Sequence, residues 1–178
     1  MKTENVLVCN GRVDEAMFNS VKEFLDTCER FSTCFIGVNS RGGELDFGQK
    51  IAQLIIEKER DHCVSVYMIA GERVSSSALL PYIAGMKRLA LKRTKFLFHH
   101  ARNGTKFATK NTYKKIEVAE KNCVSFMAKK IKVSEDCILN LMDNKIELDF
   151  DEALSLGLVT GFVSDSYYHS LIQKQHLS

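Results

Sequence analysis

The chain shows its architecture most clearly at residues 64–85, whose sequence is VSVYMIAGERVSSSALLPYIAG. Val64 to Ala70 is a mainly apolar run, which predicts a buried strand that ends at Gly71. The segment from Ser77 to Ala84 is rich in Ala and Leu, which favours a buried helix. The stretch therefore predicts a strand, a turn that includes Ser75-Ser76-Ser77, and a helix.

The same alternation continues toward the N-terminus. Asp14 is placed to cap a helix that runs to about Arg30, because the apolar residues after it recur at helical spacing. The other predicted elements on this side are a strand at Asn5 to Cys9 with a turn at Asn10-Gly11, a strand at Cys34 to Val38 that stops at Asn39 to Gly43, and a helix to about Arg60.

Toward the C-terminus the predicted elements are strands at Arg88 to Leu91 and Lys95 to His99, a helix at about Lys110 to Lys130, a helix capped by Ser134, a short helix at Asp151 to Leu156 with Gly157 as its C-cap, and a strand at Leu158 to Val163. Strands that alternate with long helices imply βαβ repeats with a mainly parallel sheet flanked by helices. The predicted fold class is therefore α/β. Without a linker or repeat, residues 1–178 predict one domain, with a core at about 5–164 and a short polar C-terminal tail.

Composition narrows the function classes. Apolar residues make up 45% and charged residues 26%, and the net charge of +3 is too small to imply a nucleic-acid partner. No apolar run reaches the length of a membrane helix, and the first residues do not resemble a secretory signal, so we expect a cytoplasmic protein. The six scattered cysteines lack zinc-ligand spacing, which favours reduced thiols and predicts neither metal nor cofactor.

Two predicted turns lie where a parallel sheet collects its sites, at the carboxyl ends of strands. The paired glycines of Asn39 to Gly43 would bring backbone N–H groups close to an anion or an oxyanion, although such pairs also serve turns alone. A serine between Gly71 and Ala78 would expose its hydroxyl at a helix start, as a nucleophile requires, although serines there also act as helix caps.

Two histidines, His99 and His100, stand at the end of a predicted strand. A histidine there is suited to general base catalysis, because its ordinary pKa lies near neutrality. Since successive side chains on a strand point to opposite faces, only one of the two is expected to face the site.

Taken together, these motifs resemble the proteolytic subunit of the Clp protease family, which has a crotonase-like α/β fold. The resemblance extends from Val6 to Val163. The motifs that carry it, in chain order, are Asn39 to Gly43, Gly71 to Ser76, Ala84 to Arg88, Phe96 to His99, and Glu152 to Val159.

The resemblance implies a serine endopeptidase that assembles into a homo-oligomeric ring and cleaves peptides or unfolded proteins inside it. On that basis His99 would be the base, the N–H groups of Gly42 and Ser77 would form the oxyanion hole, and the backbone from Gly43 to Glu44 and at His100 would hold an extended peptide. An AAA+ unfoldase is the implied partner, although the first strand begins too early to leave much room for the loops that contact one.

The nucleophile is either Ser75 or Ser76. Counting forward from Gly71 favours Ser75, whereas counting back from Ala84 across the helix favours Ser76. We predict Ser76, with one inserted residue near Glu72 and Arg73.

The sequence departs from the family at the third member of the triad, since Lys145 stands where an aspartate is expected. We predict Asp143 as the substitute, with Glu147 and Asp149 as alternatives; a dyad of serine and histidine without a carboxylate is a further alternative. Pro81 is a second oddity, because a proline kinks a helix unless it lies in the first turn.

Three functions therefore remain open. The first is the active peptidase, and the second is a catalytically impaired paralogue that forms or regulates a ring with an active subunit. The third is a crotonase-type acyl-CoA enzyme, which would rely on carboxylates. The apolar stripe of the helix at Lys110 to Lys130 fits either a ring contact or core packing.

Overall fold

A computed structural model describes residues 5–101 and 110–175 of the chain. Its strands are β1 (Asn5–Val13), β2 (Thr33–Gly43), β3 (Ser65–Ser75), β4 (Lys87–Ala90), β5 (Lys95–Leu97), β6 (Glu147–Leu148) and β7 (Gly161–Phe162). The sheet runs in the order β1-β2-β3-β4-β7, and every pair along this path is parallel. β5 pairs parallel with the second half of β3, and β6 pairs antiparallel with β5. The predicted α/β fold with a mainly parallel sheet is confirmed.

The helices are α1 (Glu15–Thr27), α2 (Leu45–His62), α3 (Leu79–Ala84), α4 (Lys110–Ile131), α5 (Glu135–Asp143), α6 (Phe150–Ser155) and α7 (Asp165–Gln175), with a 3-10 turn at Ser76–Ala78 before α3. The Asp14 side chain accepts a hydrogen bond from the amide of Met17, so it caps α1 as predicted. Ser134 accepts in the same way from the amide of Cys137 at the start of α5. No helix in the described part of the chain is long and apolar enough to cross a bilayer.

β2 and β3 are longer than predicted, because both continue past the points where the sequence indicated turns. Val38 pairs with Ala70 and Ser40 pairs with Val74. Between these two pairs β2 has one residue and β3 has three, so β3 bulges. The side chain of Asn39 stabilises this bulge by accepting a hydrogen bond from the amide of Arg73 at 3.1 Å. The bulge includes Glu72 and Arg73, and beyond it β3 continues to Ser75.

Pro81 lies in the first turn of α3, as its third residue. The first turn is the part of a helix that tolerates proline best.

The predicted polar tail is wrong for residues 165–175, which form α7. Tyr168 and Leu171 lie three residues apart on one face of this helix, and both are buried against Ile69, Leu91 and Val163. The error arose because the polar residues between them obscure a short apolar stripe.

All six cysteines are free thiols. Cys9 and Cys34 are buried in the core, as expected for small apolar side chains, whereas Cys63 is exposed at the end of α2.

Candidate active site

The three adjacent serines have three different environments. Ser75 ends β3 and is only 2% exposed, and Ser77 is buried in the 3-10 turn. Ser76, between them, is partly exposed and has a φ of 57°, in the left-handed region. Residues other than glycine rarely adopt this conformation, and it concentrates at functional sites. The abrupt change from strand to helix therefore presents the side chain of Ser76 alone.

Of the two buried serine hydroxyls, one forms a hydrogen bond with the backbone and the other has no partner among the described residues. Ser77 Oγ accepts a hydrogen bond from the amide of Gly43 at 2.8 Å, which ties the 3-10 turn to the end of β2. Ser75 Oγ is buried with no hydrogen-bond partner among the described residues. Neither hydroxyl is placed as openly as that of Ser76.

Gly42 lies directly against Ser76. Its φ is +95°, and a Cβ built on it would come within 2.6 Å of the Ser76 Cβ and 2.7 Å of the carbonyl oxygen of Ser75. Only glycine fits here, because the backbone is in the left-handed region and because a side chain would clash with Ser75 and Ser76. The Gly42 amide donates to Ser40 Oγ at 3.0 Å, so the predicted oxyanion donor has an internal partner in this conformation.

Ser76 and His99 line one small cavity of about 30 Å³, together with Ser77, Glu120, Cys123 and apolar residues. That volume suits one or two water molecules. Among the described residues, no hydrogen bond joins Ser76 to His99. Catalytic hydrogen bonds often shorten only when substrate binds.

The orientation of His99 follows from its Nδ1 atom, which lies 2.7 Å from the backbone carbonyl oxygen of His100. A carbonyl oxygen only accepts hydrogen bonds, so Nδ1 carries the hydrogen. In the neutral ring the Nε2 atom then keeps its lone pair, as a general base requires. A backbone carbonyl therefore occupies the position of an orienting carboxylate.

The ring of His100 is held from two sides. Its Nδ1 lies 2.7 Å from Glu120 Oε1 in α4, and its Nε2 lies 2.7 Å from Asp143 Oδ1 at the end of α5. The ring of His100 donates hydrogen bonds to Glu120 and Asp143, and these bonds raise the pKa of His100 above its ordinary value, with Glu120 making the larger contribution. Asp143, expected as the partner of His99, thus contacts the neighbouring histidine. The backbone at His100 was expected to hold a peptide, but in this conformation its carbonyl oxygen accepts a hydrogen bond from the His99 ring.

The other candidates for a third triad member also lie elsewhere. Lys145 is exposed in the turn after α5. Glu147 forms an ion pair with Arg73 at 2.7 Å, and Asp149 caps α6 by accepting from the amide of Glu152. Each of these carboxylates has a structural partner other than His99.

The amides expected to hold a peptide beyond Gly42 are also engaged. The Gly43 amide donates to Ser77, and the Glu44 amide donates to the carbonyl oxygen of Val13 at 2.8 Å. The 3-10 turn therefore engages the first of these amides, and β1 engages the second. In this conformation they are not free to pair with an added strand.

Sequence reasoning missed Glu120. It lies 20 positions after His100, and its position within α4 gives no sign that it reaches the end of β5. Its Oε2 accepts from the amide of Ala101 at 2.6 Å, in addition to the contact with His100. Only the packing of α4 against the site reveals this role.

The fold corresponds to that of solved α/β proteins. The solved structure of ClpP1 from Listeria monocytogenes matches with a TM-score of 0.78 and 21% identity, over 90% of this chain and 92% of that chain. The ClpP1 N165D mutant from the same organism matches with a TM-score of 0.80 and 20% identity over the same shares. No curated protein sequence matches the chain.

The family model for Clp protease matches residues 1–166. The chain therefore belongs to the Clp protease family, which is a family of serine peptidases.

Proposed function

We propose that the chain is a serine endopeptidase in which Ser76 is the nucleophile and His99 the general base. Ser76 Oγ attacks the carbonyl carbon of a peptide bond while Nε2 of His99 takes its proton. The proton then passes to the leaving amine as the C–N bond breaks, which leaves an acyl-enzyme. Water hydrolyses that ester with the same histidine as base, and Ser76 is regenerated.

The observation that carries the proposal is the conformation of Ser76. A partly exposed serine with a left-handed backbone, set between two buried serines and facing the same cavity as a histidine with a protonated Nδ1, is the arrangement of an activated nucleophile. A serine that served only as a helix cap would not need this backbone strain, which costs about 1–3 kcal/mol.

The proposed oxyanion hole consists of the amides of Gly42 and Ser77. The amide of Ser77 lies at the start of the 3-10 turn, where N–H groups lack partners within the helix. The amide of Gly42 must first exchange its bond to Ser40 Oγ for the substrate oxygen. Substrate binding is therefore expected to bring a small rearrangement of the end of β2.

A fluorophosphonate probe tests the nucleophile, since a reactive serine displaces fluoride from it and becomes phosphonylated. We expect labelling of the native protein, complete loss of label in Ser76→Ala, and retention in Ser75→Ala. The second variant is a matched control, because it removes the neighbouring hydroxyl and leaves the Ser76 turn in place. Labelling that persists in Ser76→Ala would refute the assignment.

A second function is supported by a different observation. Lys145 stands where the family's aspartate is expected, and His99 contacts no carboxylate among the described residues, as in an impaired subunit that forms rings with an active partner. Absence of label in a protein that co-purifies with a second, labelled peptidase subunit would favour this reading. No observation favours the acyl-CoA enzyme.

The proposed substrates are extended peptides or unfolded proteins, and the proposed assembly is a ring. Family membership supports both, because peptide substrates and ring oligomers characterise the Clp proteases. Light scattering tests the assembly directly, and a monomer would count against an enclosed chamber. Whether an AAA+ unfoldase delivers substrate is a separate question, which a pull-down with candidate ATPases would answer.

A further inference from the structure

We propose that His100 is a positioning residue, whose ring is clamped between Glu120 and Asp143 so that its backbone carbonyl fixes the orientation of His99. This inference rests on the proposed function, since it assigns the task of the missing triad aspartate to a backbone carbonyl. It also gives Asp143 a role at His100, whereas the sequence analysis expected it to contact His99.

Glu120 controls the carbonyl through the peptide plane. The carbonyl of His100 and the N–H of Ala101 belong to the same planar peptide unit and point in opposite directions. Glu120 Oε2 accepts from that N–H at 2.6 Å, and His99 Nδ1 donates to the carbonyl oxygen at 2.7 Å. By holding one side of the plane, Glu120 aims the other side at His99.

The clamp also fixes the side chain of the same residue. Glu120 Oε1 and Asp143 Oδ1 each lie 2.7 Å from one ring nitrogen of His100, so both nitrogens must carry hydrogen for both contacts to be hydrogen bonds. The ring is then an imidazolium, paired with one carboxylate from α4 and one from α5. Among the described residues, these two carboxylates are the charged groups that contact the ring, and His99 is its titratable neighbour in the chain.

The two carboxylates are not equivalent. The side chain of Glu120 is 21% exposed, whereas that of Asp143 is 65% exposed, so solvent screens the second contact more strongly. Glu120 also holds the Ala101 amide, which Asp143 does not. Loss of Glu120 is therefore expected to have the larger effect on the orientation of His99.

The clamp gives the active site a dependence on pH. When His100 loses a proton, one of the two ring contacts loses its hydrogen, and the clamp loosens. Activity should therefore fall as the pH rises through the raised pKa of His100. Removing either carboxylate lowers that pKa, so the falling limb of the pH profile should move to lower pH.

The test uses the full chain and compares Glu120→Gln, Asp143→Asn and the control Asp136→Asn, which alters a carboxylate of α5 at its other end. We expect Glu120→Gln to lower kcat, or the rate of fluorophosphonate labelling, by about 10- to 100-fold with little change in KM, because orientation and not binding is lost. Asp143→Asn should lower it less, both variants should shift the falling limb to lower pH, and Asp136→Asn should do neither.

A second measurement separates this proposal from the proposed function. Titration of the His100 ring by NMR should show a lower pKa in Asp143→Asn and in Glu120→Gln than in the native protein, whether or not the protein is active. A lowered pKa with no labelling of the native chain would sink the peptidase assignment and leave the clamp. An unchanged pKa, or folded variants with native rate and pH profile, would overturn the clamp.

Discussion

At the residue scale, the three consecutive serines show why the nucleophile was difficult to assign from the sequence. Each is a plausible cap or nucleophile by type, and counting residues from two sides gave two answers. The structure separates them by burial and backbone conformation, because the bulge in β3 determines which serine falls at the turn. A bulge of this kind leaves no reliable mark in the sequence.

Removal of the buried hydroxyls of Ser75 and Ser77 should have different effects on the free energy of unfolding. Ser75→Ala deletes a buried oxygen with no recorded partner, so we expect the free energy of unfolding to stay level or rise by about 1 kcal/mol. Ser77→Ala leaves the Gly43 amide without its acceptor, and we expect a loss of about 1–3 kcal/mol. Denaturant unfolding of the two variants measures both, and equal losses would contradict the assignment of their environments.

Gly42 can be tested against a glycine of nearly the same backbone conformation. Gly11 has a φ of +98° with no atom within 4 Å of a built Cβ, so Gly11→Ala should cost only the backbone strain, about 1–2 kcal/mol. Gly42→Ala adds a clash with Ser76, so it should destabilise more and abolish labelling. If both variants unfold and react alike, Gly42 does not press on the nucleophile as described.

At the element scale, the predictions succeeded where apolar periodicity was strong and failed where an element was short or its role depended on pairing. α1, α2 and the centre of the sheet follow from their apolar patterns. The two residues of β6 are too few to show any pattern, and α7 was hidden by its polar residues. Glu120 and Asp143 reach His100 across 20 and 43 residues, a distance that spacing in the sequence does not encode.

Arg88 joins β4 to the loop before β7. Its buried guanidinium donates to the carbonyl oxygens of Gly85, Gly157 and Leu158, at 3.3, 3.0 and 2.9 Å. Arg88→Met should therefore destabilise the fold by about 3 kcal/mol or more, since it leaves buried carbonyls without donors. Lys87→Met, at the exposed neighbouring position, is the control for thermal unfolding and should change little.

The clamp between α4, α5 and the end of β5 should also affect stability with a definite sign. The folded-state pKa of His100 is raised, so its contribution is fully present below the ordinary value of 6.5 and is lost as the pH rises through the folded value. The stability difference between the native protein and Asp143→Asn should thus be largest below pH 6.5 and shrink as the pH rises above that value. A difference that grew with pH would contradict the clamp.

At the scale of the whole molecule, the apolar stripe of α4 was interpreted as either core packing or a ring contact, and the two halves of the helix differ in this respect. Its C-terminal half belongs to the core through Cys123 and Met127, whereas Tyr113, at the N-terminal end of the same stripe, is exposed. Val118, an apolar residue outside the stripe, is exposed as well. Core packing therefore explains only part of the stripe. The exposed part is the surface that a contact with another copy would use.

The exposed half of α4 gives a test of assembly. If it contributes to a ring or to stacking of rings, the double variant Tyr113→Glu, Val118→Glu should shift the particle mass in light scattering toward smaller species. Leu139→Glu, an exposed apolar position on α5, is the matched control and should leave the mass unchanged. Unaltered assembly in the double variant would leave the stripe without a role in oligomerisation.

The packing of α7 has a practical consequence for anyone handling this protein. The Tyr168 hydroxyl sits 2.6 Å from the place where a Cβ on Gly71 would be, five positions ahead of the proposed nucleophile, although the family model ends at residue 166. Through Tyr168 and Leu171, α7 therefore packs against β3, the strand that ends next to the proposed nucleophile. Affinity handles and fusion partners are better attached at the other end.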